Sequence, residues 1–247
     1  MSEIDAIYQI WKREIIRYFR DKYRLAGSIF QPILFLLILG SGFSFVKIGD
    51  LNYQKFLFPG IVAMSLVGIS LTAGISVIWD REFGFFKEIE VSPISRLSIF
   101  LGKAFGGCTI ALIQGIIIAS LSFIIGLNLP PIIFLKIIPI MILISFSMVS
   151  LGLIISSYVE TFESFGVIMN FIVFPLNFLS GIFYPVTQVP EWLKIITHLN
   201  PLSYGVDLMR YAIIDKSFMN PVLDVLIVIL FCILAAFIGV LSFNRKK

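Results

Sequence analysis

The sequence predicts an all-α, polytopic membrane protein, and three observations carry that prediction. Of 247 residues, 58% are hydrophobic and only 14% charged, where a soluble domain carries about 25%, and the mean hydropathy is +0.99. The apolar residues fall into six blocks of about the twenty residues needed to cross a bilayer core as a helix. The basic residues cluster in alternate connections between those blocks. Six membrane-spanning helices follow, in one transmembrane domain covering residues 1–247.

Residues 1–24 precede the first block and are too charged to span. Ile4, Ile7, Trp11, Ile15 and Tyr18 recur every three or four residues, while Lys12, Arg13, Arg17 and Arg20 take other faces. That pattern predicts an amphipathic helix lying on the membrane surface. It is unlike a cleavable signal peptide, whose apolar core would come first. The predicted spans are residues 25–46, 57–79, 104–127, 132–157, 165–184 and 222–243. As helices they satisfy their own backbone hydrogen bonds, as lipid requires.

Two connections are more than linkers. Residues 80–103 read DREFGFFKEIEVSPISRLSIFLGK. The stretch 82–91 alternates acids with Phe83, Phe85, Phe86 and Ile89, which predicts a short helix with one apolar and one acidic face. Ser92 is placed to cap a helix beginning at Pro93. In residues 185–220, Pro190 and Glu191 mark a helix start, and Trp192, Ile195, Ile196 and Leu199 form an apolar stripe. Asn200-Pro201 ends that helix and starts another, in which Asp207 and Arg210 stand one turn apart. Two short helices dipping into the outer interface are expected. Pro175, Asn177, Ser180, Gly181 and Pro185 make the fifth span irregular, as backbone that lines a cavity or packs on protein can be.

Charge sets the expected orientation. With a cytoplasmic N-terminus, thirteen of the nineteen Lys and Arg residues fall on the inner side, six of them ahead of the first span. Basic residues near helix ends resist translocation, so both termini are expected in the cytoplasm. The basic balance is thereby accounted for without a nucleic-acid partner.

Catalytic and metal-binding patterns are missing from the sequence. His198 is the single histidine, and Cys108 and Cys232 both lie in apolar blocks, where they read as small buried residues. No H-E-x-x-H, C-x-x-C, nucleophile elbow or phosphate loop occurs; Leu97 stands where the first glycine of a loop ending at Gly102-Lys103 would be. Gly102 and Gly106 form a small-xxx-small pair that predicts close helix packing. No span carries an acid or base near its middle, whereas ion-driven transporters keep such relays at depth. Lys136 and Asp224 fall at span starts, from which they are expected to reach the interface. Any uphill transport would therefore draw its energy through the cytoplasmic surface.

In these features the chain resembles the membrane subunit of a type-2 ABC exporter, the permease family of drug, glycolipid and polysaccharide exporters. The resemblance spans nearly the whole chain. It is carried by Arg81-Glu82-x-Gly84, Ser92-Pro93-Ile94-Ser95 and Leu101-Gly102-Lys103, and by FPLNFLSGIFYPVTQVPEWLKIITHLNPLSYGVDLMRY from Phe174 to Tyr211. It implies a plasma-membrane permease that pairs with a second copy or homologue, with two separate ATPase subunits docked beneath. ATP and magnesium would sit on those partners, and this chain would hold no cofactor. It also implies that residues 82–92 form the element coupling the permease to the ATPase. Phe83, Phe85, Phe86 and Ile89 would then be buried in the contact, Glu82, Glu88 and Glu90 would meet basic residues, and Gly84, Ser92 and Pro93 would shape the loop. The pathway would lie at the dimer interface along spans two and five, with Ser70, Thr72, Ser76, Asn170, Asn177 and Ser180 as candidate lining residues. The expected cargo is a hydrophobic or amphiphilic compound, moved outward, or alternatively a lipid-linked polysaccharide. A membrane-embedded enzyme would need a nucleophile–histidine or paired-acid constellation at depth, which the sequence lacks. A regulatory membrane subunit without a pathway is the third reading.

Overall fold

A computed structural model describes residues 2–84 and 94–245. Helix α1 (Glu3–Arg20) opens with a capping box, in which the Ser2 hydroxyl accepts from the Asp5 amide and the Asp5 carboxylate accepts from the Ser2 amide. Asp21 breaks the helix and caps α2 (Lys22–Gly42) by accepting from the Arg24 amide. A two-residue antiparallel hairpin, β1 (Lys47–Ile48) and β2 (Leu51–Asn52), turns at Gly49 and Asp50. Helices α3 (Tyr53–Leu71) and α4 (Ile75–Glu82) run on through a 3-10 turn as one span, Tyr53–Glu82. Next come α5 (Arg96–Ser120), α6 (Pro131–Tyr158) and α7 (Phe162–Phe178). The short α8 (Glu191–Leu199) and α9 (Pro201–Ile214) precede α10 (Pro221–Arg245). The hairpin was not anticipated, because two residues per strand are too few for an alternation pattern.

Five of these helical segments are long and apolar enough to cross a membrane: Lys22–Gly42, Tyr53–Glu82, Arg96–Ile125, Pro131–Tyr158 and Pro221–Phe243. The chain is a multi-pass membrane protein. The sixth apolar helix, Phe162–Phe178, has 17 residues, shorter than the 165–184 expected. Pro175 lies in its last turn, and Gly181 at φ +72° turns the chain away from the helix axis.

The span Tyr53–Glu82 is the centre of the bundle: 72% of its apolar window is buried, against 17% for Lys22–Gly42 and 22% for Pro221–Phe243. The latter two present Phe30, Ile38, Leu226, Leu230, Ile233 and Phe237 outward, as a lipid-facing surface requires. Lipid tails are as apolar as leucine, so packing between such helices rests on close contact rather than on escape from water. The crossing of α6 with the 3-10 turn between α3 and α4 shows this: a Cβ on Gly74 would come within 2.2 Å of the Gly152 carbonyl oxygen, and one on Gly152 within 2.3 Å of the Leu71 carbonyl oxygen.

Helix α1 docks on α5 by the same device. Gly102 and Gly106 let Ile10 and Glu14 approach to where a Cβ would meet them at 2.7 and 2.8 Å. The face of α1 turned to the protein is Ala6, Ile10, Glu14 and Tyr18. Of the stripe read from the sequence, Ile7, Trp11 and Ile15 are half-buried flanks and Ile4 is exposed. Helix α9 also departs from expectation: Leu202 to Arg210 are all buried, so it is an interior helix, and α8 alone exposes an apolar stripe, at Trp192, Ile195 and Leu199.

Candidate functional site

The bundle has a hairpin end, at β1 and β2, and a loop end, at the connection 83–95. At the loop end, α4 finishes on Glu82; Phe83 lies against Trp79 with ring centroids 5.2 Å apart, and Gly84 takes φ +75°. The remaining coupling candidates, Phe85, Phe86, Glu88, Ile89, Ser92 and Pro93, with Glu90, lie outside the described residues. The first described cap on α5 is Ser95, which accepts from the Ser98 amide.

The residues bordering this connection are heavily tied down. Arg81 donates to the Ser156 carbonyl at 2.8 Å, and Arg96 to the Phe243 carbonyl at 3.1 Å, bracing the C-terminal turns of α6 and α10. Glu3 accepts from the Ser95 amide and hydroxyl at 3.2 and 2.8 Å and from the Ser98 hydroxyl at 2.5 Å. A carboxylate at a helix N-terminus meets free amides and the positive end of the dipole. Those hydrogen bonds, from Ser98 first, hold the Glu3 carboxyl below the usual carboxylate range.

Behind them lies a buried charge cluster that sequence reasoning missed. The Lys103 ammonium, 1% exposed, donates to Asp80 at 2.6 Å, Ser76 at 3.0 Å and Glu14 at 3.2 Å, using all three of its protons. Arg13 donates to Asp80 at 2.5 Å, and Arg17 stands 3.6 Å from the same carboxylate and over the Trp79 ring. The cluster joins α1, α4 and α5. Its one sequence signal is Glu14, which continues the spacing Ala6, Ile10 toward the two glycines of α5.

Next to the cluster, a cavity of about 530 Å³ opens between α1 and α4, with Arg17, Arg20, Arg24, Ser76 and Trp79 among its walls. A second, of about 390 Å³, lies between α2, α3 and α7 and is bounded by Ser28, Met64, Thr72, Asn170, Phe174 and Asn177 among others. The two share Arg24 and Ile69. Of the candidate pathway residues, Thr72, Asn170 and Asn177 border the second cavity and Ser76 the first. Ser70 is fully buried and borders neither, and its hydroxyl has no hydrogen-bond partner among the described residues. Ser180 is also buried and donates to the Asn177 carbonyl within its own turn. Arg24 was counted from the sequence as a topology charge. It is half-buried in α2 and donates to the Thr72 hydroxyl at 2.9 Å and carbonyl at 3.3 Å.

At the hairpin end, Asp207 and Arg210 pair as their spacing predicts, at 3.5 Å. Asp207 also accepts from the amides of Phe218 and Met219, and Arg210 donates to the Gly181 carbonyl at 2.9 Å beneath the Phe56 ring. These internal partners are what allow a charged helix to be buried. Asp224 corrects an expectation: it does not reach the interface, being fully buried, and neither carboxyl oxygen has a hydrogen-bond partner among the described residues. It sits beside Asp207. Lys136 and His198 are exposed.

The helical bundle thus carries two open cavities along its central span. The chain matches the family described as ABC-2 type transporter over residues 5–214, and it belongs to that family as a permease component. Among its relatives are the transport permease ycf38 of Cyanophora paradoxa, 30% identical over 87% of this chain and 77% of the relative, and the inner membrane transport permease YadH of Escherichia coli strain K12, 27% identical over 94% and 90%. The multidrug ABC transporter permease YbhR of the same strain is 30% identical over 65% of this chain and 44% of its own length.

Proposed function

We propose that this chain is the membrane-spanning permease of an ATP-driven exporter that carries a hydrophobic or amphiphilic compound outward through the plasma membrane. The loop end, with both termini, faces the cytoplasm, where thirteen of nineteen basic residues then lie. Two copies, or this chain and a homologue, pair, and the pathway lies where they meet, lined mainly by the second and fifth spans. Two ATPase subunits bind beneath, and residues 82–92 insert into them through Phe83, Phe85, Phe86 and Ile89. The observation that carries the reading is the pair of abutting cavities along the span Tyr53–Glu82, whose far end leads directly into that connection. Closure of the ATPase dimer would move residues 82–92, and the bracing at Arg81, Glu3 and Lys103 would pass that motion to α1, α4, α5 and the C-terminal turn of α6. A multidrug name on a 30% identical relative supports cargo of the drug-like class.

The test is purification of the tagged chain from its native membrane. A nucleotide-binding subunit should co-purify, and its hydrolysis should rise when amphiphilic compounds are added. The chain freed of that partner should neither bind nor hydrolyse ATP. Hydrolysis by the isolated chain, or the lack of any co-purifying ATPase, would overturn the reading.

A further inference from the structure

Two acids meet where α9 passes into α10, and their surroundings are opposite. Asp207 is fully served as an anion. It accepts from the Ser217 hydroxyl at 2.7 Å, the Phe218 amide at 3.0 Å and the Met219 amide at 3.1 Å, and Arg210 stands 3.5 Å away as its counter-charge. All four are donors, which suits an ionised carboxylate, an acceptor only. Asp224, in the first turn of α10, is fully enclosed, and neither of its oxygens has a hydrogen-bond partner among the described residues. What lies against it is the Asp207 carboxyl. Amides of its own turn are used elsewhere: that of Val222 by the Asn220 side chain, and that of Asp224 itself by the Asn220 carbonyl. Among the described residues no cation is spare for it. Arg210 holds Asp207 and the Gly181 carbonyl, and the Tyr204 hydroxyl donates to the His198 carbonyl. Lys136, Lys194, His198 and Lys216 are exposed. A second copy of the chain cannot supply the charge either, because Asp224 is enclosed by its own chain. An enclosed carboxylate with neither donor nor counter-charge is costly, and such a group takes up a proton instead. Two carboxyls in contact share one proton for the same reason. Here the donors around Asp207 decide which acid keeps it.

We infer that Asp224 is a proton-holding site whose O–H donates to the Asp207 carboxylate, so that a single proton latches α10 to α9 at the hairpin end. The latch is a switch. When the proton leaves, two carboxylates face each other across a space that holds one arginine. Asp207 also gathers the connection 215–220 through Ser217, Phe218 and Met219. The charge on Asp224 therefore decides whether that connection stays packed over the hairpin end. The inference is independent of what the chain transports.

The test reads the proton itself. The full chain is placed in phosphatidylcholine nanodiscs at neutral pH and its infrared spectrum is recorded. The parent should show the C=O stretch of an un-ionised carboxyl, shifted on exchange into heavy water and missing from Asp224→Asn. Asp207→Asn should move that band to higher frequency, because the O–H then loses its anionic acceptor. Asparagine has the shape of the protonated acid and keeps an N–H for Asp207. Asp224→Asn should therefore melt within about 2 °C of the parent, the range of a substitution that breaks nothing. Raising the pH until the band disappears should cost the Phe218 and Met219 amides their protection from hydrogen exchange, in the parent but not in Asp224→Asn. A parent spectrum with no band that Asp224→Asn removes would overturn the inference. So would a melting temperature that sodium or calcium raises in the parent and not in Asp224→Asn, since a metal ion would then stand where the proton is placed. Protection at Phe218 and Met219 that outlasts the band would overturn the latch.

Discussion

Replacing Lys103 by methionine tests whether the charge cluster holds α1 to the bundle. Methionine keeps the volume and the apolar stem but removes an ammonium that is 1% exposed and serves Asp80, Glu14 and Ser76 at once. Two carboxylates, 5% and 9% exposed, then depend on Arg13 and Arg17, which are about a third exposed and can follow them. Breaking a buried pair by removing one partner costs about 3–5 kcal/mol, and the arginines place this case near the lower bound, at about 3. On the scale for chains of this size, that is roughly 6–12 °C in Tm. The assay is the melting temperature of the detergent-purified chain, read by fluorescence-detected size exclusion. Adding Glu14→Gln to Lys103→Met should recover part of the loss, because the second carboxylate no longer needs the missing cation, whereas independent sites would add. A Tm within about a degree of the parent for Lys103→Met, or a strictly additive double variant, would refute the argument.

Other outcomes follow from the same structure. Gly152→Ala should destabilise the chain by about 1–3 kcal/mol, as overpacking does, since its methyl would meet the Leu71 carbonyl at 2.3 Å; an unchanged Tm would contradict the close crossing of α6 with the end of α3. Single cysteines at Asp50 and Gln188 should react with impermeant thiol reagents from outside, and those at Glu163 and Lys247 only after the membrane is opened; the opposite pattern would invert the proposed orientation. Phe85→Asp and Phe86→Asp should abolish transport while leaving expression and permease pairing normal, because each would force an unpaired charge into the proposed ATPase contact. Normal, substrate-coupled transport by both variants would remove residues 82–92 from the coupling role.

The division between what was legible and what was not follows particular residues. Spans and helix ends are local properties. A run of apolar residues must satisfy its own amides in lipid, and Asn200 caps the helix that immediately follows it. The Asp207–Arg210 pair needed only one turn of spacing. The fold class and the order of the helices were accordingly present in the sequence, as was the close packing at Gly102 and Gly106, though not the helix that fills it.

The tertiary structure decided which polar groups inside that frame find partners, because the partners are far apart in the chain. Lys103 reads as one more basic flank until Asp80 and Glu14, 23 and 89 residues away, are brought to it. Glu14 breaks the apolar pattern of α1, so periodicity alone turned the helix toward the stripe of Ile4, Ile7 and Trp11 instead of toward Ala6 and Ile10. Arg24 and Thr72, 48 residues apart, meet only when the first and second spans pack. A single sequence records which residues can be buried; which charge answers which, and which is left facing a cavity, is settled when distant helices exclude water and lipid from between them.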